Sequence, residues 1–144
     1  LWEGNGAVPE VALLAGLTLP WGEPEVSSNE WDPSFRFALS HSLSSRASLG
    51  YNLGVEWSTL DISTASFFVY TSALGFGLTE LLSVFVEVYG DIGISETGEA
   101  HMFDGGFTCL LSDNLQFDLL AGAGLSGDTD DWFVGGGISY RYPD

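Results

Sequence analysis

From Phe103 onward the chain alternates apolar with polar or small residues on both sides of a tight turn at Leu111-Ser112-Asp113-Asn114. Phe103, Phe107, Cys109 and Leu111 fall on one face of an extended chain, and Asp104, Gly106 and Thr108 on the other. Beyond the turn, Leu115, Phe117, Leu119, Ala121, Ala123 and Leu125 share the apolar face, while Gln116, Asp118, Gly122 and Gly124 share the second. A period of two on both arms indicates strand, not helix. The same alternation lays out segments at roughly Glu10–Leu19, Ser34–Ser42, Ala47–Trp57, Ser66–Gly77, Leu82–Asp91, His101–Leu111, Leu115–Leu125 and Trp132–Tyr142, with nothing helical between them. The expectation is an all-β, antiparallel up-and-down meander of about eight strands closing into a single barrel domain over residues 1–144.

The connections alternate in length. Leu43–Arg46, Leu78–Leu81 and Ser112–Asn114 are short, whereas Pro20–Pro33, Ser58–Ala65, Ile92–Ala100 and Ser126–Asp131 are longer. Tight turns at one end and longer loops at the other are the pattern of outer-membrane barrels. An internal repeat fixes the register: Leu43-Ser44, Leu78-Thr79 and Leu111-Ser112 each end one strand and open the next hairpin, so one repeat is two strands. Aligned on it, Phe35, Phe37, Leu39, Leu49, Tyr51, Leu53, Val84, Val86 and Val88 join the apolar face. Glu10, Arg36, Asn52, Glu56, Glu87, Asp104, Asp118 and Arg141 join the other. Periodicity alone does not say which face is inside.

Charge narrows the field. Twenty acidic residues stand against three arginines and no lysine, a formal charge of −17 that repels phosphate backbones and excludes a nucleic-acid partner. An aromatic content of 14% in periodic positions separates the chain from acidic disordered sequences. A lone cysteine, Cys109, excludes an internal disulfide and zinc-type spacing, and reads as a small apolar residue of the outer face. No apolar run reaches the length of a membrane-spanning helix, but strands of about ten residues suffice for a barrel. The chain starts at Leu1 without a basic-then-apolar leader, so a signal peptide is expected to have been removed or the chain to be a fragment.

Candidate chemistry is sparse. Gly122-Ala-Gly124-Leu-Ser-Gly127 matches the dinucleotide fingerprint only formally, because a strand and not a helix follows it. Asp128, Asp130 and Asp131 form a weak loop site for a cation, or simply a solvated acidic loop. His41 and His101 lie near opposite ends of their strands, which leaves no catalytic constellation, no resident metal and no cofactor expected. The inward charged set, Glu87, Asp104, Asp118, Arg141, Arg36 and Glu56, is expected to cluster, with Arg141 as its cationic centre, either as a structural network or as a water-facing lining. Trp21, Trp31, Trp57 and Trp132 at the long-loop end, and Tyr140 and Tyr142 at the other, fit two aromatic girdles or, more simply, caps on a soluble core.

Leu17-Thr-Leu-Pro20, Ser48-Leu-Gly-Tyr-Asn-Leu-Gly54, Phe85-Val-Glu87, Asp104-Gly-Gly106, Leu115-Gln-Phe-Asp-Leu119, Gly122-Ala-Gly-Leu125 and Asp131-Trp-Phe-Val-Gly-Gly-Gly-Ile-Ser-Tyr-Arg-Tyr142 carry a resemblance from Pro9 to Tyr142. The chain resembles the outer-membrane transporter family named for the MetA pathway of phenol degradation, and matches the C-terminal part of its longer members. That resemblance implies a bacterial outer-membrane location, lipid as the partner of the apolar face, and non-enzymatic passage of small molecules, aromatic ones among them. Two other readings stand beside it. One is a non-transporting eight-stranded barrel filled by its own side chains, acting as an anchor or adhesin; the other is a soluble lipocalin-like ligand carrier, with the apolar face inside.

Overall fold

The computed structural model describes residues 4, 8–22, 29–60, 63–95, 98–126 and 129–142. It contains β1 (Glu10–Thr18), β2 (Asp32–Ser42), β3 (Ala47–Leu60), β4 (Ser63–Gly77), β5 (Leu82–Gly93), β6 (Glu99–Ser112), β7 (Leu115–Gly124) and β8 (Phe133–Tyr140). All eight form one antiparallel sheet in sequence order, β1 to β8. The up-and-down meander read from the alternation is therefore present. Among the described residues the sheet is not closed: β1 pairs only with β2 and β8 only with β7, so both carry a free edge.

The register gives each face its membership, because directly opposed residues of an antiparallel pair project to the same side. One row runs Glu10, Ser40, Gly50, Ala73, Glu87, Asp104, Gly122, Phe133 across the whole sheet. The neighbouring row on the other face runs Val11, Leu39, Tyr51, Ser72, Val88, Phe103, Ala123. Exposure follows the same parity. In β5, Val84, Val86, Val88 and Ile92 are exposed, while Phe85, Glu87, Tyr89 and Asp91 are half-buried. Phe37 is 54% and Val86 46% exposed, and no described hydrophobic residue is fully buried. The polar face is the covered, concave one, since side chains from β2 through β6 on that side line one cavity of about 290 Å³. A flat sheet would spread those strands over about 19 Å at about 4.8 Å per strand.

Local chemistry explains the turns. In the first short turn, the amides of Leu43 and Ser44 donate to the Ala47 carbonyl, and the Ser44 hydroxyl accepts from the amides of Arg46 and Ala47. In the second, Leu78 and Thr79 donate to the Leu82 carbonyl, and Thr79 accepts from Leu81 and Leu82. The Leu-Ser/Thr repeat is thus one turn used twice. The third copy differs. Only Asp113 and Asn114 separate β6 from β7, and the pairing shifts between Leu110 and Ser112. Such a two-residue turn alone would slide the register by one residue and oppose apolar to polar positions. A bulge at Leu111 absorbs the extra residue, so Cys109 still meets Phe117 and Thr108 meets Asp118. Leu111 consequently leaves the regular apolar row to which the alternation assigned it.

The other departure is at Ser58–Ala65, expected as a long loop. β3 and β4 instead run through to Leu60 and Ser63, as strands of 14 and 15 residues. Their Ser/Thr-rich tips carry no apolar alternation to read, but Thr59 donates its hydroxyl to Asp32 at 2.8 Å and lies 3.0 Å from the Thr64 hydroxyl.

Candidate functional site

The concave face carries the charges. Arg36 on β2 forms an ion pair and hydrogen bond with Glu56 on β3, which lies two residues beyond Gly54, the residue opposite Arg36. Asn52 donates its side-chain amide to the Thr71 hydroxyl at 2.7 Å, and Thr71, opposite Tyr89, shares the concave face with Glu87. Glu87 on β5 stands directly opposite Asp104 on β6. Asp104 is only 6% exposed, and its Oδ1 has no hydrogen-bond partner. The cavity beside this row is lined by Arg36, Asn52, Glu56, Thr71, Tyr89 and Asp91, with Val69 and Met102 as apolar wall.

Of the inward set expected from sequence, Arg36 with Glu56 and Glu87 with Asp104 are brought together in pairs. Asp118 lies two rows from Asp104, folded over Gly137, where an added Cβ would meet its Oδ2 at 2.7 Å. Arg141 does not join them. β8 ends at Tyr140, so the alternation stops before Arg141, and its guanidinium turns to the last short turn. There it donates to Asn114 Oδ1 at 3.3 Å and to the Asp113 carbonyl at 3.1 Å. It is a turn clamp, not a cationic centre. Tyr89 and Asp91 were missed in the inward set, although they continue the parity of Glu87 along β5.

Among the described residues no group of three or more His, Cys, Asp or Glu side chains is placed to hold a metal ion, and Asp128 lies outside those residues. Asp130 contributes its backbone carbonyl to the Gly124 amide, and Asp131 is exposed. Glu23, Glu25, Asp61 and Glu96 of the acidic loop end also lie outside the described residues, as does Gly127. Gly122 and Gly124 belong to β7, where Phe133 and Thr129 fill the space a Cβ would need, and no helix follows.

On the convex face the aromatics sit at both margins. Trp57 packs edge-on against Phe35, with ring centres 6.4 Å apart, and Trp21 packs likewise on Trp31 at 6.1 Å. Trp132 is 71% exposed, while Tyr140 and Tyr142 mark the short-turn end, Tyr142 at 83%. Polar atoms on this face are paired: His41 Nε2 lies 3.2 Å from the Tyr51 hydroxyl, and His101 Nδ1 lies 3.0 Å from the Tyr70 hydroxyl across Gly90. Cys109 sits half-buried between Leu82 and Phe117.

These features define an all-β, antiparallel up-and-down meander of the barrel class, with its apolar side turned outward and its first and last strands not paired to each other. The chain belongs to the family described as "Putative MetA-pathway of phenol degradation", whose sequence profile matches residues 1–142. No curated protein matches it.

Proposed function

We propose that this chain forms wall of an outer-membrane β-barrel, with the convex face in lipid and the concave face lining a water-filled passage for small molecules. The observation that carries this reading is the sorting of exposure by face in the inner strands: Phe35, Phe37, Leu53, Leu74, Val86, Phe103 and Leu119 on the convex side are exposed, while Glu56, Glu87, Asp104 and Asp118 on the concave side are half-buried or buried. In water such a surface would be an aggregation hazard far larger than an ordinary apolar patch. In lipid it is the favourable arrangement, and its margins carry the Trp and Tyr residues expected at the two interfaces. The height is also suitable. From Leu82 to Ile92 the apolar face of β5 extends about 34 Å at about 3.4 Å per residue, or roughly 26 Å after a barrel tilt of about 40°. That equals the usual apolar band of about 25 Å.

The passage is non-enzymatic, and its permeants are small polar or aromatic molecules that tolerate an acidic wall containing Tyr89 and Met102. Eight strands closed alone hold little more than their own side chains, so a conducting channel needs a wider wall, added at the free edges of β1 and β8.

The test is refolding followed by transport. The chain is expected to acquire its β signal only with detergent or lipid, and liposomes containing it are expected to swell in small neutral solutes. A soluble β-rich monomer in plain buffer would overturn the membrane reading. Efficient insertion without swelling would overturn passage and leave a structural barrel.

A further inference from the structure

We infer that Glu87 and Asp104 form a subsite on the concave wall for a hard inorganic cation. The two carboxylates are directly opposed across β5 and β6, an arrangement in which like charges destabilise a strand pair unless something compensates them. Small residues flank them in their own row, Ala73 on β4 and Gly122 on β7, so neither neighbouring strand supplies a partner there.

The chain has no basic residue to spare. All three arginines are among the described residues, and there is no lysine. Arg36 is engaged by Glu56 and lies three strands from Glu87, about 14 Å along the sheet at about 4.8 Å per strand. Arg141 is held at the Asp113–Asn114 turn, and Arg46 belongs to the turn at 43–46. Independently of the charge count, Asp104 is more than nine-tenths buried, and its Oδ1 meets no donor. An orphaned buried carboxylate oxygen costs far more than an exposed one, and it marks where a missing positive charge belongs.

The donor set names the ligand class. Carboxylate oxygens suit hard cations, and two carboxylates without a third acidic ligand suit an ion that keeps part of its water shell, as magnesium does. The subsite stands whether or not solute crosses the wall, because it requires only the β5–β6 pairing.

The experiment uses the full chain folded in detergent or, if it proves soluble, in buffer. Magnesium chloride and calcium chloride are titrated separately at constant ionic strength and pH 7.5, with thermal unfolding and calorimetric heat as readouts. A saturable stabilisation by at least one of the two ions is expected for the unchanged chain. Its apparent affinity should fall at least about tenfold in Glu87→Gln and in Asp104→Asn, and should persist in Asp118→Asn. Both test variants remove repulsion at nearly constant shape, so folding is expected to survive. A response equal in all four proteins is charge screening, and overturns the site. No saturable response also overturns it, and stability that falls as pH rises would then assign the pair to a shared proton.

Discussion

Gly105 and Gly106 are adjacent in β6 but belong to different environments. A Cβ on Gly105, on the convex side, would stand 3.0 Å from the Phe85 carbonyl and 3.4 Å from a Val86 methyl. A Cβ on Gly106, on the concave side, would drive into the Leu119 carbonyl and stand 2.9 Å from the Leu120 Cα. At this pair the concave position is the tighter of the two, closed by the backbone of β7; the crowding is local, since Gly90 on the convex side meets the Ala100 carbonyl as closely. The convex face is limited by what solvent it meets, and the concave face by how much room and charge it holds.

The largest expected effect comes from placing charge on the wrong side. Val86→Arg or Leu119→Arg is expected to lower folding stability in lipid by about 2 to 4 kcal/mol, while Ser83→Arg or Gln116→Arg costs much less. Denaturant unfolding of the four proteins in vesicles measures this. Equal losses would erase the distinction between the faces.

Next is the glycine pair itself. Gly106→Ala is expected to cost about 1 to 3 kcal/mol through overpacking, because backbone and not a movable side chain fills the space. Gly105→Ala should cost less, and the difference in unfolding midpoint is the measurement. The reverse order would mean that the concave position is not the tighter of the two.

The smallest effect concerns the charges. Arg36 and Glu56 retain side-chain exposures of 42% and 33%, so solvent screens them, and their double-mutant coupling should be about 1 kcal/mol or less, shrinking in high salt. Arg141→Leu should show no coupling to Glu87 or Asp118, since its partners are Asn114 and the Asp113 carbonyl.

Alternation alone located the strands because each has neighbours that demand one face of each kind; Ser42, Ala47, Gly77, Leu82 and Leu115 were placed at strand ends where the structure has them. It failed where the apolar signal fades, in the Ser/Thr tips of β3 and β4, and where a turn residue count conflicts with face parity, at Leu111. For the candidate site, parity put Glu87 and Asp104 on one face, but only the register set them opposite each other. Arg141 was misjudged because parity was extended one residue beyond the last strand. Which face is inside was not legible from alternation, which is symmetric under exchange of the two sides; the aromatic ends, the loop lengths and the resemblance decided it.

The twice-used Leu-Ser/Thr turn has a consequence for lineage. A hairpin that carries its own turn and keeps its own parity can be duplicated or lost as a block without exchanging the two sides of the wall. Each such event alters the circumference by two strands, about 10 Å, and leaves every surviving side chain facing the medium it faced before. The girth of a barrel built this way is a heritable count of hairpins, free to vary among descendants while the chemistry of each strand is preserved.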